Sequence, residues 1–153
     1  MNSLCEAVLT IYNEDVGDNL TVDDIKDYYI EKYVKPETRE TFYEYFTDKR
    51  VWKRIKLIDN CVDIIKEFYN SGHDIYFVTS TEAENVYKKS KWLQRNFPFL
   101  NIRKRLICIH NKKLLEGLDV LVDDYLGNLV GSKYHKIVLT IHGTEMLMMK
   151  RKD

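Results

Sequence analysis

The stretch "LDVLVDDYLGNL", residues 118–129, places a short apolar run directly before two adjacent carboxylates, Asp123 and Asp124. A run so rich in valine and leucine is typical of a strand that is buried on both faces of a parallel sheet. Two like charges side by side repel each other unless water or a cation relieves the repulsion. The stretch therefore predicts a buried strand whose end carries carboxylates in need of a partner.

Three other runs of the same kind lie in the second half of the chain: "DIYFVTS" (74–80), "RLICIH" (105–110) and "KIVLTIHG" (136–143). A helical pattern, "EAENVYKKSKWLQRNF" (82–97), separates the first two. Short polar links join the later runs. This order of elements predicts an α/β fold whose four strands form a parallel sheet with right-handed crossovers.

Residues 1–72 have helical patterns throughout. Apolar residues at helical spacing predict a helix over 2–14 that ends at "GDN", and another over 60–72 that ends at "NSG". Between them, "TVDDIKDYYIEKYV" (21–34) and "KPETRETFYEYFTDKRVW" (35–52) predict two further helices. The N-terminal half is therefore predicted to be entirely helical.

The length of 153 residues predicts a single domain. Within it we expect a helical cap-like segment at 1–58, an α/β core at 59–145 and a short tail at 146–153. Lysine plus arginine and aspartate plus glutamate both number 24, and this zero net charge argues against binding to a nucleic-acid polymer. The chain has no visible signal peptide and no apolar run of membrane-spanning length, so we expect a cytoplasmic protein that binds no membrane.

The ends of the predicted strands carry the candidate site residues. Ligands of open parallel sheets bind beyond the carboxyl ends of the strands. The first strand ends at Thr79 and Ser80, and the third ends at Asp123 and Asp124. Carboxylate oxygens suit a hydrated Mg²⁺, and hydroxyl donors suit a phosphate. A lysine on the helix between the first two strands would complete the neutralisation of charge, and the candidates are Lys88, Lys89 and Lys91.

These motifs, in this order, resemble those of the haloacid dehalogenase-like (HAD) phosphohydrolase superfamily, and most closely its 5'(3')-deoxyribonucleotidase-like group. "IYFVTS" (75–80) is similar to the second motif, an apolar strand that ends in Thr or Ser. "KSKWLQRNF" (89–97) has the nucleotidase pattern of a lysine three residues before a tryptophan, and "DVLVDDYLGNL" (119–129) is similar to the fourth motif. The resemblance spans residues 2–143 and implies a HAD-like Rossmannoid core with an N-terminal helical cap.

The resemblance also implies roles for individual residues. Thr79 would bind the phosphate, with Ser80 beside it, and Lys89 would be the lysine of the third motif. Asp124 would be the direct Mg²⁺ ligand and Asp123 its neighbour, so that Lys89 and Asp123 join the catalytic residues. The activity implied is Mg²⁺-dependent hydrolysis of a small phosphate ester, a nucleoside monophosphate above all.

One motif of the family is missing from this sequence. The first motif is an apolar strand that ends in D-x-D-G and supplies the nucleophilic aspartate. "EDVGD" (14–18) has two aspartates, but no apolar strand precedes it and its spacing is wrong. The sequence begins about where the motif should end, so Met1 is either an internal methionine or a replacement start. Covalent phosphoryl transfer needs a placed nucleophile, so we expect the chain to bind Mg²⁺ and phosphate but to hydrolyse little.

The missing strand is the central one in the family's sheet. Its loss would leave unpaired backbone edges on the strands that end at Thr79 and Asp124, which is costly when those edges are buried. Either the two strands close up, or another chain fills the gap. We therefore expect that a homo-oligomer or a partner chain can complete the sheet.

Aromatic residues crowd the helical half, and in the resembling group the aromatics of the cap hold the nucleobase. Phe46 and Trp52, near the junction of cap and core, are the candidates for a substrate pocket. Core packing is the alternative for the whole set, since the residues recur at helical spacing. The set comprises Tyr28, Tyr29, Tyr33, Phe42, Tyr43, Tyr45, Phe46 and Trp52.

Each assignment has a plainer alternative. Asp123 and Asp124 are also what a solvated loop contains, Thr79 and Ser80 also suit a helix cap, and Lys89 also suits a solvated basic face. The alternative for the whole protein is a non-catalytic relative that binds phosphate or nucleotide, or regulates, through a protein partner.

Overall fold

The computed structural model describes residues 3–26, 29–131 and 134–138, except for the side chain of Leu126. The chain divides into two compact units. The helical unit takes the described residues of 1–76 and 82–105, and the strand unit takes those of 77–81 and 106–153. Helices and parallel strand pairs together confirm the predicted α/β class.

The helical unit begins with α1 (Leu4–Val16), which confirms the first predicted helix. The helix ends at Gly17, whose φ of +62° lies in the left-handed region and whose N–H donates to the carbonyl of Asn13. Glycine adopts this conformation without the steric cost that a Cβ would impose. One face of α1 is buried, and its buried residues are Ala7, Val8, Leu9, Ile11 and Tyr12.

The two long helices predicted between α1 and residue 52 are wrong. The structure has short 3₁₀ turns in their place, followed by α2 (Lys49–Arg54). Tyr28, one of the aromatic candidates, lies outside the described residues. The 3₁₀ turns are Val22–Asp24, Ile30–Lys32, Pro36–Thr38 and Phe42–Thr47.

Threonine hydroxyls explain the 3₁₀ geometry of the segment before α2. Thr38, Thr41 and Thr47 each donate a hydrogen bond to the carbonyl three residues earlier, at 2.8, 3.4 and 2.8 Å. Such bonds compete with the regular helical ladder, and threonine and aromatic side chains also lose rotamer freedom in an α-helix. Helical spacing of the aromatics was therefore insufficient to predict a continuous helix.

Tyr12 and Phe42 form the centre of the helical unit. Both side chains are fully buried, and their rings meet edge to face with centroids 5.5 Å apart. The Tyr12 hydroxyl donates to Asp18 Oδ2 at 2.9 Å and accepts from the Lys35 N–H at 2.8 Å. A buried tyrosine is stable here because its polar end is fully hydrogen-bonded. The contact also confirms core packing as the role of Phe42.

Three further helices complete the helical unit. They are α3 (Cys61–Asn70), α4 (Ala83–Asn96) and α5 (Ile102–Arg105). The prediction of helices over 60–72 and 82–97 is confirmed by α3 and α4. No helix within the described part of the chain has both the length and the apolar character needed to cross a bilayer.

The start of α4 excludes one alternative for the candidate site. The N-cap of α4 is Glu82, and its side chain makes no capping hydrogen bond. Thr79 and Ser80 lie two or more residues further back, so the interpretation of these hydroxyls as the cap of α4 is wrong.

The strand unit contains a strand in each of the four predicted runs. They are β1 (Phe77–Thr79), β2 (Leu106–Cys108), β3 (Val120–Asp123) and β4 (His135–Val138). The rest of the predicted fourth strand and the predicted tail at 146–153 lie outside the described residues. The predicted number and type of strands are thus confirmed where the structure describes them.

The strands pair in parallel, as predicted, but in two separate pairs. Phe77 of β1 lies opposite Leu106 of β2, and Val120 of β3 lies opposite His135 of β4. Among the described residues the four strands therefore form two two-stranded sheets instead of one sheet of four. A strand between the pairs, or a partner that supplies it, stays a prediction.

A small apolar cluster forms the core of the strand unit. Leu121, Leu129 and Tyr134 are buried in it, and Val78 of β1 packs against it, so the cluster connects the two strand pairs. Further partly buried members are Leu115, Leu118 and Val138.

The burial of β3 differs from the prediction. Leu121 and Asp123 are buried, whereas Val120 and Val122 are 46% and 54% exposed. The expectation of a strand buried on both faces is therefore wrong for one face. Side chains alternate along a strand, and the cluster covers only the side on which Leu121 lies.

The packing of the helical unit predicts the effect of truncating Phe42. Phe42→Ala should lower the free energy of unfolding by about 3–5 kcal/mol, because it leaves a cavity between α1 and the 3₁₀ turn Phe42–Thr47. Tyr87→Ala, at a residue that is 70% exposed, should change it by less than about 0.5 kcal/mol. Urea unfolding measures both. Equal losses in the two variants would contradict this description of the core.

Candidate functional site

The end of β3 presents two adjacent carboxylates in opposite environments. Asp123 is only 6% exposed, whereas Asp124 is exposed. Successive side chains of a strand point to opposite faces, which explains why neighbours in sequence differ so strongly in burial. The pair therefore has to be treated as two separate groups.

Asp123 is surrounded by hydrogen-bond donors. Its Oδ2 accepts from Lys112 Nζ at 2.5 Å and from Asn128 Nδ2 at 3.2 Å. Its Oδ1 accepts from the Tyr125 N–H at 2.9 Å and from Asn128 Nδ2 at 3.0 Å. A carboxylate offers about two acceptor positions on each oxygen, so the acceptor capacity of Asp123 is filled.

The surroundings of Asp123 also set its charge. Burial by itself raises the pKa of this carboxyl, and the hydrogen bonds from Lys112, the Tyr125 N–H and Asn128 outweigh burial, so that the pKa is lowered. Asp123 is therefore ionised at neutral pH and paired with the ammonium of Lys112, whose side chain is 11% exposed. The cation that relieves the repulsion between the two carboxylates is thus a lysine of the chain itself.

Asp124 has the opposite character. Its carboxylate is exposed and accepts no hydrogen bond from any residue that the structure describes. Mg²⁺ commonly binds through one or two carboxylates together with water and substrate phosphate. No three His, Cys, Asp or Glu side chains within the described ranges are grouped as a metal cage. The donor set therefore fits a hydrated Mg²⁺ that shares a phosphate, and does not form a site made of protein ligands alone.

The end of β1 carries the two candidate hydroxyls. Thr79 is buried and its carbonyl accepts the Ile109 N–H at 2.9 Å, while exposed Ser80 donates its hydroxyl to the Ile109 carbonyl at 3.0 Å. The loop after β1 is thereby fixed to the residue that follows β2. Because the Ser80 proton already has an acceptor, Ser80 can donate to a phosphate only after rotating away from Ile109. Thr79, Ser80, Asp123 and Asp124 all lie in the strand unit.

The candidate lysines lie on α4 in the helical unit. Lys88 Nζ donates to the carbonyl of Thr47 at 2.9 Å, and Lys91 Nζ lies 5.6 Å from the ring centre of Tyr87. Lys89 is half-buried on the same helix. Lys88 and Lys91 thus have structural contacts within the helical unit, and Lys89 is not without a partner either.

The candidates for a substrate pocket also lie in the helical unit. Phe46 is half-buried, with its ring 6.1 Å from that of Phe42 and 5.7 Å from that of Tyr43. Trp52 is half-buried on α2, and its buried indole N–H has no acceptor among the described residues. A buried donor without an acceptor costs free energy, so this indole N–H is an unsatisfied polar group of the helical unit.

Two residues that organise the site were not identified from the sequence. Lys112 follows β2, and Asn128 lies five positions after Asp123 in the stretch quoted first. The bond from the Tyr125 N–H to Asp123 had a local signal, because aspartate side chains commonly accept the N–H two residues on. No local pattern indicated Lys112, because it lies eleven residues before Asp123 and only the folding of the chain brings the two side chains together.

The sequence is similar to those of known proteins. Residues 1–149 match the family described as 5' nucleotidase, deoxy (pyrimidine), cytosolic type C protein. The 5'(3')-deoxyribonucleotidase of Clostridium acetobutylicum is 32% identical over 142 residues, which cover 93% of this chain and 77% of the relative. The match therefore includes both units and every candidate site residue.

The environments of the two carboxylates predict different effects on stability. Asp123→Asn should lower the free energy of unfolding by about 3 kcal/mol, because it leaves Lys112 without its buried counter-charge. Asp124→Asn is the matched control and should change it by less than about 0.5 kcal/mol, since this carboxylate is exposed. Denaturant unfolding of both variants measures the difference. A similar loss in both would show that the two carboxylates are not separated in role.

Proposed function

The chain belongs to the family of 5' nucleotidase, deoxy (pyrimidine), cytosolic type C proteins, and from this membership we propose that it is a magnesium-dependent phosphatase of nucleoside monophosphates. The predicted membership of the HAD-like superfamily is confirmed by the family match and by the relative, so the protein is a hydrolase of the 5'-nucleotidase type. A deoxynucleoside monophosphate is the substrate class that the names of family and relative suggest. The requirement for Mg²⁺ and the roles of individual residues are part of the proposal.

The observation that carries the assignment of the metal ligand is the difference between Asp123 and Asp124. A metal ligand must have a free lone pair that faces solvent or substrate, and Asp124 has one while Asp123 does not. Asp124 is therefore proposed as the direct ligand and Asp123 as the residue that positions it. A bound Mg²⁺ would stabilise the negative charge on the transferring phosphoryl group.

We assign the phosphate to Thr79, with Ser80 as a secondary donor. Thr79 ends a strand of the same unit that carries Asp124 and is held in place by the Ile109 N–H. Lys89 is proposed as the lysine that neutralises the phosphate, on the basis of its spacing from Trp92. Phe46 and Trp52 are proposed for the nucleobase, and the indole N–H of Trp52 would suit a base carbonyl.

The attacking carboxylate is not assigned to any described aspartate. Asp15 is paired with Arg50, whose hydrogen bond lowers the pKa of this carboxyl, and Asp18 accepts from the Tyr12 hydroxyl. Asp123 is saturated by its four hydrogen bonds. A nucleophile needs a free lone pair, so each of these groups is better suited to structure. We therefore expect hydrolysis by this chain to be slow.

The remaining assignments follow from the same proposal. The substrate is a small phosphate ester, and the protein acts in the cytoplasm without binding a membrane or a nucleic-acid polymer. A second copy or a partner chain that completes the sheet is retained as a proposal. The family match does not favour a non-catalytic binding protein, and the measurement of turnover distinguishes the two.

The metal assignment predicts the behaviour of Asp124→Asn. Release of phosphate from deoxynucleoside monophosphates should be slow, should require Mg²⁺, and should fall at least about tenfold in this variant. Glu116→Gln, which removes an exposed carboxylate from the link before β3, is the matched control and should leave the rate unchanged. Rapid turnover that survives Asp124→Asn would show that Asp124 is not the metal ligand.

The phosphate assignment predicts a loss of affinity in Thr79→Val. This substitution keeps the shape of the side chain and removes its hydroxyl, so the dissociation constant for a deoxynucleoside monophosphate with Mg²⁺ should rise about tenfold, as expected for a hydrogen bond to a charged group. Thr81→Val removes a hydroxyl two residues away and should leave the constant unchanged. Calorimetric titration measures both. Unaltered binding by Thr79→Val would contradict the assignment.

A further inference from the structure

We propose that Lys112 is a positioning residue of the metal site: it holds Asp123, and through the turn that Asp123 forms it fixes the direction in which Asp124 faces. The inference rests on the proposed function, because it takes Asp124 as the ligand of Mg²⁺. Lys112 itself would touch neither metal nor phosphate.

Lys112 is held at both ends. It begins a 3₁₀ turn (Lys112–Leu114), and its backbone carbonyl accepts the Tyr134 hydroxyl at 3.2 Å. Tyr134 is buried in the core cluster of the strand unit. The ammonium group reaches Asp123 Oδ2 at 2.5 Å from a side chain that is 11% exposed. The lysine is thus a fixed support, because its backbone is tied to the core and its charged end has little room to move.

Asp123 transmits this support to its neighbour. Its Oδ1 accepts the Tyr125 N–H, so a hydrogen-bonded ring encloses the backbone of Asp124. Asn128 donates to both oxygens of the same carboxylate and closes the turn from its far side. A carboxylate that accepts an N–H two residues on defines a local turn. The backbone of Asp124 is therefore held by the side chain that Lys112 holds.

Charge and geometry make opposite predictions for the removal of Lys112. Without the ammonium, Asp123 would add an uncompensated negative charge beside Asp124, and by Coulomb attraction alone a cation would bind more tightly. Loss of the support would instead let the turn relax, and groups that orient metal ligands commonly contribute about 10–100-fold to metal affinity. A positioning role therefore predicts weaker binding, and a purely electrostatic role predicts tighter binding.

The test is a titration of the full chain with Mg²⁺ alone. Binding is monitored through the ¹H–¹⁵N amide signals of Asp124 and Tyr125. Wild type should show saturable shifts. Lys112→Met, which keeps the apolar stem, should raise the dissociation constant about 10–100-fold. Lys112→Arg retains the charge and its donors and should restore most of the affinity. Lys113→Met, at the exposed neighbouring lysine, is the matched control and should bind like wild type.

Binding by Lys112→Met that is equal to or tighter than that of wild type would overturn the inference, and so would an equal loss in Lys113→Met. If Lys112→Met does not fold, Asn128→Ala removes two hydrogen bonds from the same carboxylate and keeps the ion pair. It should weaken Mg²⁺ binding by several-fold, and unchanged binding would again overturn the inference.

A wild-type chain with no shift at Asp124 would refute the proposed function and this inference together. Normal Mg²⁺ binding by wild type together with unaffected binding by Lys112→Met would refute the inference alone.

Discussion

The ion pair between Lys112 and Asp123 is the interaction on which the end of β3 depends. An ionised carboxylate that is 6% exposed is unstable in an apolar core unless a counter-charge and further hydrogen bonds compensate for lost water. Lys112, Asn128 and the Tyr125 N–H supply both. Their consequence is a division of roles, because only the adjacent carboxylate of Asp124 keeps free lone pairs.

The same distinction between saturated and unsaturated polar groups applies in the helical unit. The hydroxyl of Tyr12 is buried but has both a donor and an acceptor partner, so it serves the core. The indole N–H of Trp52 is buried and has no acceptor within the described ranges. Groups with unused hydrogen-bonding capacity are the ones that a ligand can satisfy. Asp124 is therefore the residue that we propose for the metal, and Trp52 is one that we propose for the nucleobase.

Elements with a clear pattern of apolar residues were predictable from the sequence. The strands formed within the four apolar runs, and α1, α3 and α4 formed where apolar residues recur at helical spacing. The helices predicted over 21–52 were wrong, because hydroxyl bonds such as that of Thr47 and the packing of Phe42 favour 3₁₀ turns. In the site, the adjacent carboxylates were visible as a motif. Lys112 was not, because no local pattern connects a lysine to a carboxylate eleven residues away.

The most direct measurement of the central claim is a crystal structure of the chain soaked in Mn²⁺, with the ion located by its anomalous scattering. We expect a peak in contact with the carboxylate of Asp124, while Asp123 remains paired with Lys112. A peak bound to Asp123 with Lys112 displaced, or no peak at the end of β3, would show that the two carboxylates do not have the roles assigned to them.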